Sequence, residues 1–450
     1  MNKIYMLVTK ANHRLDNNIL QLSKDCALYL RVQNRQNVQL YVGKQCKVFK
    51  ILVRKSDKSS KSMSMNPEVL KRLHLRSNWK YGVSADKDII CLGPVVGIMA
   101  DTTRNSNKPF GAQTYFIKQL LTAGRNLGEI SFAFDPSHVN WEKETITGYN
   151  YGKNGWVKAI FPIPDVVYPR AKGVSSSKIS VRRRLEEMGV VFLNPVFVGK
   201  WQTYRIISQN PALAPYIPDT RLIKNFDQLD KMISKYQAVY LKPVSGSQGR
   251  NIIKVVKGKN SSVYQYQYQY NGKTYSGTAS SLSKLKSYLK KVMRNRPYII
   301  QKQINLLRLN GNLIDVRVLV QKDHSGIWGV TGMACRVGRQ GSITSNICSG
   351  GKGQKVETIL KNHFSSSEKI REILEEIDFL VIESARTLEE SIGQSGEMGV
   401  DVGIDKNGKI WFIETNIRPG RQVFDLIGEK ELRKRSVEKP LLYSRYLAGF

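Results

Sequence analysis

A chain of 450 residues with 41% hydrophobic and 9% aromatic residues has the length of about three domains of roughly 150 residues, and enough apolar surface to exclude a mainly disordered protein. Its 71 Lys and Arg against 36 Asp and Glu leave a net charge of +35, a field that favours nucleic acid, anionic cell-wall polymer, a membrane surface or an acidic substrate. No run approaches the ~18 apolar residues of a membrane-spanning helix, and five scattered cysteines with five histidines form no zinc or disulfide pattern, which points to a reducing cytoplasm.

Residues 1–88 read as a small basic β-rich module. The opening Met1 to Val8 lacks the apolar stretch and small-residue cleavage site of a secretory signal. Val38 to Val42 and Cys46 to Val53 carry apolar residues at period two, the spacing of half-buried strands. Ser56 to Ser62 is polar and turn-rich and is expected as a surface loop. Residues 89–197 read as an α/β domain. Asp88 to Met99 is expected as one buried strand, followed by a helix over 112–123 and a strand at Glu129 to Phe134. Val166-Val167-Tyr168, a helix at 182–188 and Val190 to Leu193 come next, and the alternation argues for a parallel sheet.

Residues 198–430 mix strands at 238–243, 251–256 and 297–303 with helices near 200–208, 226–236 and 279–294. Ile370, Ile373, Leu374, Ile377, Leu380, Val381 and Ser384 fall at three- and four-residue steps and predict a long helix over 367–391. The alternation Tyr264 to Tyr270 before Asn271-Gly272 predicts a hairpin with four tyrosines on one face. Residues 431–450 are charged, then apolar and aromatic, and are expected to pack as a surface tail. Basic residues recur along the whole chain without zinc-finger spacing, an aromatic RNA-binding signature or heptads. A solvated basic surface therefore explains the charge better than specific nucleic-acid readout.

Three segments carry chemistry. In Gly399 to Asn416, Asp405-Lys406-Asn407-Gly408 is a turn between two strands. If Ile404 pairs with Lys409, Asp401 lies opposite Phe412, and Asp401, Glu414 and Asn416 line one face. Two readings of that hairpin stand: polar residues on a wet face, or hard oxygen ligands suited to Mg²⁺. In Val239 to Ile252, a strand delivers Lys242 and a Ser/Gly loop (Ser245, Gly246, Ser247, Gly249) follows. Its backbone N–H groups could meet phosphate oxygens, or it is a glycine-rich turn; it is not a P-loop. In Asp315-Val316-Arg317, an arginine inside an apolar strand needs a partner. Arg336, Asn346 and the Gly350-Gly351 loop lie further on.

Taken in order, Lys200, the Lys242 loop, the Tyr298 to Gln301 strand, Arg317, Asn346 and Asp401/Glu414/Asn416 resemble ATP-grasp enzymes. The spacing of Asp401, Glu414 and Asn416 resembles D-alanine–D-alanine ligases. Arg317, Arg336, Ser345-Asn346 and Gly350-Gly351 resemble the glutathione synthetase and ribosomal-protein glutamate ligase branch. Leu92 to Ile98 with Ile314 to Lys322 resembles the YheC/YheD family, ATP-grasp-like proteins associated with bacterial endospore coats. The resemblance spans about residues 65–430. It implies an α/β architecture in which an ATP-grasp domain over 198–430, with a lid at about 238–303, follows a pre-ATP-grasp domain.

The resemblance also implies roles. Lys200 and Lys242 would hold ATP phosphates under the Ser245 to Gly249 loop, with Asn346 beside them. Gln301 and Gln303 would lie at the adenine hinge, where many relatives carry an acidic residue. Asp401, Glu414 and Asn416 would bind Mg²⁺, and Arg317 and Arg336 would stabilise the transferred phosphoryl group. Gly399 stands where the D-alanine ligases carry arginine, a charge Arg317 could supply instead. The implied activity is a Mg-ATP-dependent carboxylate–amine ligase with an unidentified acid and amine. The rival is a non-catalytic spore-surface protein that holds anionic polymer or coat components. The implied location is the cytoplasm, with the spore coat as a destination.

Overall fold

A computed structural model describes residues 5–54, 61–195, 198–246, 251–258, 262–270, 273–294, 296–345 and 351–450. The chain forms two compact units: Met1–Asn194 with Lys322–Ile327 and Val437–Phe450, and Pro195–Gln321 with Trp328–Ser436.

The first unit begins with a closed seven-stranded barrel. The period-two segments form strands Asn37–Val42 and Gln45–Val53, paired antiparallel through a Gly43-Lys44 turn. Gly43 is required there: its φ is +59°, and an added Cβ would lie 2.2 Å from the Ile163 carbonyl oxygen. The inward residues Leu7, Leu20, Leu40, Val42, Phe49 and Ile51 fill the barrel. Most of the expected 56–62 loop lies outside the described residues, and Ser62 already starts the strand Ser62–Met65.

The expected single strand over 88–99 is two strands. Ile89–Gly93 closes the barrel and Val95–Met99 starts the next sheet. Pro94 has no N–H to give to a ladder, so the chain changes sheets there. The boundary of the β-rich module accordingly falls at Pro94, not at residue 88. Val95–Met99, Ile130–Phe134, Val166–Pro169 and Val191–Phe192 pair in parallel. The helices Thr114–Asn126 and Ser176–Glu187 belong to this sheet's crossovers, the second capped by Ser175, whose Oγ accepts from the Lys178 N–H. A long antiparallel hairpin, Thr145–Gly152 with Gly155–Pro162, extends the sheet and has no counterpart in the sequence reading. Residues 431–450 are not a surface tail. They lie largely in the helix Lys430–Leu447, whose Val437, Leu441 and Tyr443 are buried against Ile98, Tyr168 and their neighbours.

The second unit holds two further sheets. One is antiparallel, in the order Thr220–Leu222, Tyr298–Lys302, Ala238–Pro243, Ile253–Lys257, Tyr264–Tyr270 and Lys273–Ala279. Helices Phe226–Tyr236 and Leu282–Met293 supply its core through Leu229, Ile233, Leu285 and Leu289. The tyrosine-rich strand turns Tyr264, Tyr266 and Tyr268 toward that core, with Tyr266 stacked on Tyr288 at 4.0 Å and Tyr268 on Tyr275 at 5.0 Å. Asn271 and Gly272 lie outside the described residues. The other sheet runs Lys352–Gln354, Trp328–Val337, Asn312–Lys322, Glu397–Ile404 and Ile410–Asn416. The helix Ser367–Ile392 covers it with Ile373, Ile377, Leu380, Val381 and Leu388. Among the described residues no helix is long and apolar enough to cross a membrane.

Candidate functional site

In the strand Ala238–Pro243, Val239, Leu241 and Pro243 are buried, so Tyr240 and Lys242 share the opposite face. Tyr240 is directly across from Gln301. Lys242 Nζ donates to Gln301 Oε1 at 2.7 Å, and Gln301 Nε2 donates to Thr220 Oγ1 at 2.9 Å. Gln301 thus orients the lysine as well as lining the same pocket. Burial lowers the Lys242 ammonium to about 8, an effect that the Glu414 carboxylate only partly offsets.

Lys200 opens the helix Lys200–Ile207. Its ammonium donates to the Gly246 carbonyl at 2.7 Å and pairs with Glu414 at 3.2 Å. Lys200, Lys242, Gly246 and Glu414 line one cavity, whose apolar wall includes Ile304, Leu306, Leu313 and Ile413. Gln303 does not line it; its amide donates to Asn305 Oδ1 at 3.3 Å. Ser245 is likewise not among the lining residues. Ser247, Gly249 and Asn346 lie outside the described residues.

The hairpin register differs from the sequence expectation. Ile404 pairs with Ile410, and a bulge between Asp401 and Val402 brings Asp401 opposite Glu414 instead of Phe412. An extra residue on one strand shifts every later pair, and the ladder rule cannot foresee it. Asp401 also lies across from Arg317 on the neighbouring strand. Arg317 Nε donates to Asp401 Oδ1 at 2.5 Å and Arg336 Nη2 to Asp401 Oδ2 at 2.7 Å. Arg336 also grips Asp315 through two bonds of 2.7 and 2.5 Å, and Ser345 Oγ donates to Asp315 at 2.5 Å. Asp315, Arg336 and Asp401 are 4%, 6% and 1% exposed, so two cations and two carboxylates neutralise one another out of water. Burial pushes the Asp401 carboxyl up, but Arg317 and Arg336 outweigh it and hold it at about 2. The same carboxylates raise Arg336 well above its ordinary value against the effect of its burial.

Arg336, Asp315 and Asp401 line the cavity, whereas Arg317 supports Asp401 from outside the lining. Asp315 has no role in the sequence reading. Its signal is its place two residues before Arg317 in an apolar strand, which puts both side chains on one face.

The three expected metal ligands are not equivalent. Both Asp401 oxygens are held by guanidinium groups, and Asn416 Oδ1 accepts from the Arg418 N–H at 2.9 Å. Among the described residues no three His, Cys, Asp or Glu side chains gather into a metal cluster. Glu414 is the carboxylate suited to Mg²⁺, an ion that takes one or two carboxylates and completes its shell with water and phosphate.

Gly399 explains why Arg317 fits. An added Cβ would stand 2.9 Å from Pro419 Cβ and 3.5 Å from Arg317 Cδ and Nη1. We expect Gly399→Ala to lower stability by about 1–3 kcal/mol through overpacking, read in urea unfolding; an unchanged midpoint would refute that contact.

The chain is 29% identical over 367 residues to the endospore coat-associated protein YheD of Bacillus subtilis (strain 168), covering 79% of each chain. It is 25% identical over 304 residues to the endospore coat-associated protein YheC of the same organism, covering 66% of this chain and 82% of that one. Among solved structures, D-alanyl-alanine synthetase A of Vibrio cholerae O1 biovar eltor str. N16961 superposes with a TM-score of 0.45 at 10% identity, covering 79% of this chain and 98% of the other. The model of the YheC/D-like ATP-grasp family matches residues 189–447, more than half of the chain, and the chain belongs to that family and has its ATP-grasp fold.

Proposed function

We propose that this chain binds Mg-ATP in the second unit's cavity and uses it to join a carboxylic acid to an amine. The observation that carries the proposal is the convergence of Lys200, Lys242, Glu414 and Arg336 on one cavity with an apolar wall. The wall accepts a base, and the two ammonium groups face polyphosphate. Glu414 is the side chain to hold the phosphate-bound Mg²⁺, which neutralises phosphate charge when bound.

The substrate carboxylate oxygen attacks the γ-phosphorus as its bond to the β-phosphate oxygen breaks, giving an acyl phosphate and ADP. The amine nitrogen then attacks the acyl carbon, phosphate leaves, and the nitrogen loses a proton to give the amide. Such transfer depends on positioning and charge stabilisation and needs no protein nucleophile. Arg336, fixed by Asp315 and Asp401, faces the transferred group; Arg317 positions Asp401.

Calorimetry with Mg-ATP on the wild type and Glu414→Ala tests the reading. Wild-type binding should require Mg²⁺ and weaken at least tenfold in the variant. A well-folded wild type that binds no Mg-ATP would sink it.

The coat-associated relatives and the charge of +35 favour a second reading, a spore-surface protein that holds anionic polymer on an ATP-grasp scaffold. In that reading the chain is made in the cytoplasm and ends at the coat, and Glu414→Ala leaves polymer binding and spore location unchanged. Loss of both in that variant would exclude it.

A further inference from the structure

The first unit contains a second, small cleft that the proposed ligase chemistry does not use. It is lined from the exposed Arg76, past Trp79 and Arg125, to the buried Glu129. Three costs coincide at its buried end. Glu129 is 3% exposed; Ser131 Oγ donates to its Oε2 at 3.1 Å, and Oε1 has no partner among the described residues. Burial raises this carboxyl to about 8, only partly offset by the Arg445 charge and the Ser131 hydroxyl, and the Arg445 guanidinium donates to the Leu127 carbonyl at 3.1 Å. Space for the pair exists because Gly124 lies inside the helix Thr114–Asn126: an added Cβ would stand 2.1 Å from Ser131 Oγ and 2.9 Å from Glu129 Oε2. A helical glycine is less stable than alanine, and an unpaired buried oxygen adds a desolvation cost. Leucine at 129 would avoid the second cost.

The other end is cationic. The Arg76 and Arg125 guanidinium carbons lie 4.6 and 5.1 Å from the Trp79 ring centroid. Arg125 Nη2 donates to Asn150 Oδ1 at 3.1 Å and to the Tyr151 carbonyl, while its Nε is buried with no partner among the described residues. Burial and the neighbouring Arg76 charge both lower Arg125. Among the described residues neither guanidinium forms an ion pair. Two like charges on one indole, with no carboxylate between them, await an anion.

We propose that this cleft binds a small zwitterion, an α-amino acid or its close analogue, with its ammonium group donating to Glu129, which gives up its proton to solvent as the ligand binds, and its carboxylate held by Arg76 and Arg125. Neither end alone explains the site: an anion leaves Glu129 Oε1 without a donor among the described residues, and a simple amine leaves the arginines without a counter-ion.

The test is calorimetric titration of the full chain with glycine and L-alanine, against acetate and ethylammonium as half-ligands. Saturable binding of at least one amino acid is expected, with each half-ligand at least tenfold weaker. Arg125→Gln should weaken binding at least tenfold. Glu129→Leu should abolish binding while raising Tm, because an apolar group replaces a buried carboxyl whose Oε1 has no partner among the described residues. Glu129→Gln keeps the Ser131 bond and serves if the leucine variant does not fold; at least a tenfold loss is expected. Both Glu129 variants should bind Mg-ATP as the wild type does. No saturable binding of either amino acid up to about 50 mM, a level corresponding to under ~2 kcal/mol of affinity, would overturn the proposal. So would binding that the folded Glu129 variants retain, and a lowered Tm in Glu129→Leu with no wild-type binding would identify Glu129 as structural.

Discussion

Replacing Asp401 with alanine should destabilise the second unit by about 3–5 kcal/mol, the cost of stranding a buried cation. Arg317 and Arg336 both donate to this carboxylate, and Arg336 is 6% exposed, so Arg336 cannot be rehydrated without moving the strand that carries it. Urea unfolding of the full chain checks the size. The double variant Asp401→Ala with Arg317→Ala should recover part of the loss, because Arg336 keeps Asp315. The acid limb gives an independent check. The carboxyl is held at about 2 in the folded chain, against an ordinary 3.8. Its contribution is therefore present above about pH 4 and is lost as pH falls toward 2, with a size of about 2 kcal/mol. Asp401→Ala should flatten this limb of the stability profile. Were Asp401 mainly a metal ligand, the substitution would leave stability unchanged and remove only Mg²⁺-dependent binding.

Lys242→Met should lower nucleotide affinity by roughly 30- to 150-fold, the loss of one charge-assisted contact of about 2–3 kcal/mol. Methionine keeps most of the stem, so the loss reads the charge. The sign of the pH effect follows from burial, which lowers the ammonium from 10.5 to about 8. Between pH 8 and 10.5 the unfolded chain holds a proton that the folded chain has released, so wild-type stability rises with pH across that window. Below pH 8 both states are protonated and the full cost of burying the charge is felt. Lys242→Met should remove the slope and stabilise the chain at pH 7. Polyphosphate favours the charged lysine, so nucleotide binding near pH 9 should take up about one proton per site, and near pH 7 almost none. Calorimetry in two buffers of different ionisation enthalpy measures that uptake. Equal heats in both buffers at pH 9 would show that Lys242 does not meet the phosphates.

Elements with a strong local period were legible without coordinates. The spacing from Ile370 to Ser384 predicts a helix over 367–391, and the helix runs from Ser367 to Ile392. The alternating segments near 38–53 form the expected strands. What was missed depends on partners distant in sequence. Asp88 to Met99 is one apolar run, and its division at Pro94 follows from two different sheets competing for its halves. The segment from Val437 reads as a tail because its apolar residues lack a strong helical stripe, yet Val437, Leu441 and Tyr443 complete a core begun near Ile98.

For the candidate site, the residue types and their order along the chain point to phosphate and divalent-metal chemistry before any contact is known. Lysine, glutamate and arginine carry their charge and donor geometry wherever they fall. The sequence by itself therefore determined which charged and polar groups the chain has to offer and the family to which it belongs. Which group does what was decided by tertiary structure. A one-residue bulge places Asp401 opposite Glu414, and the next strand places it opposite Arg317. Asp401 thereby becomes a shared counter-ion of two arginines, while Glu414 remains the carboxylate facing Lys200. Register and burial are cooperative properties of strands brought together across many residues, and they set both the partner of each charge and the medium in which it acts.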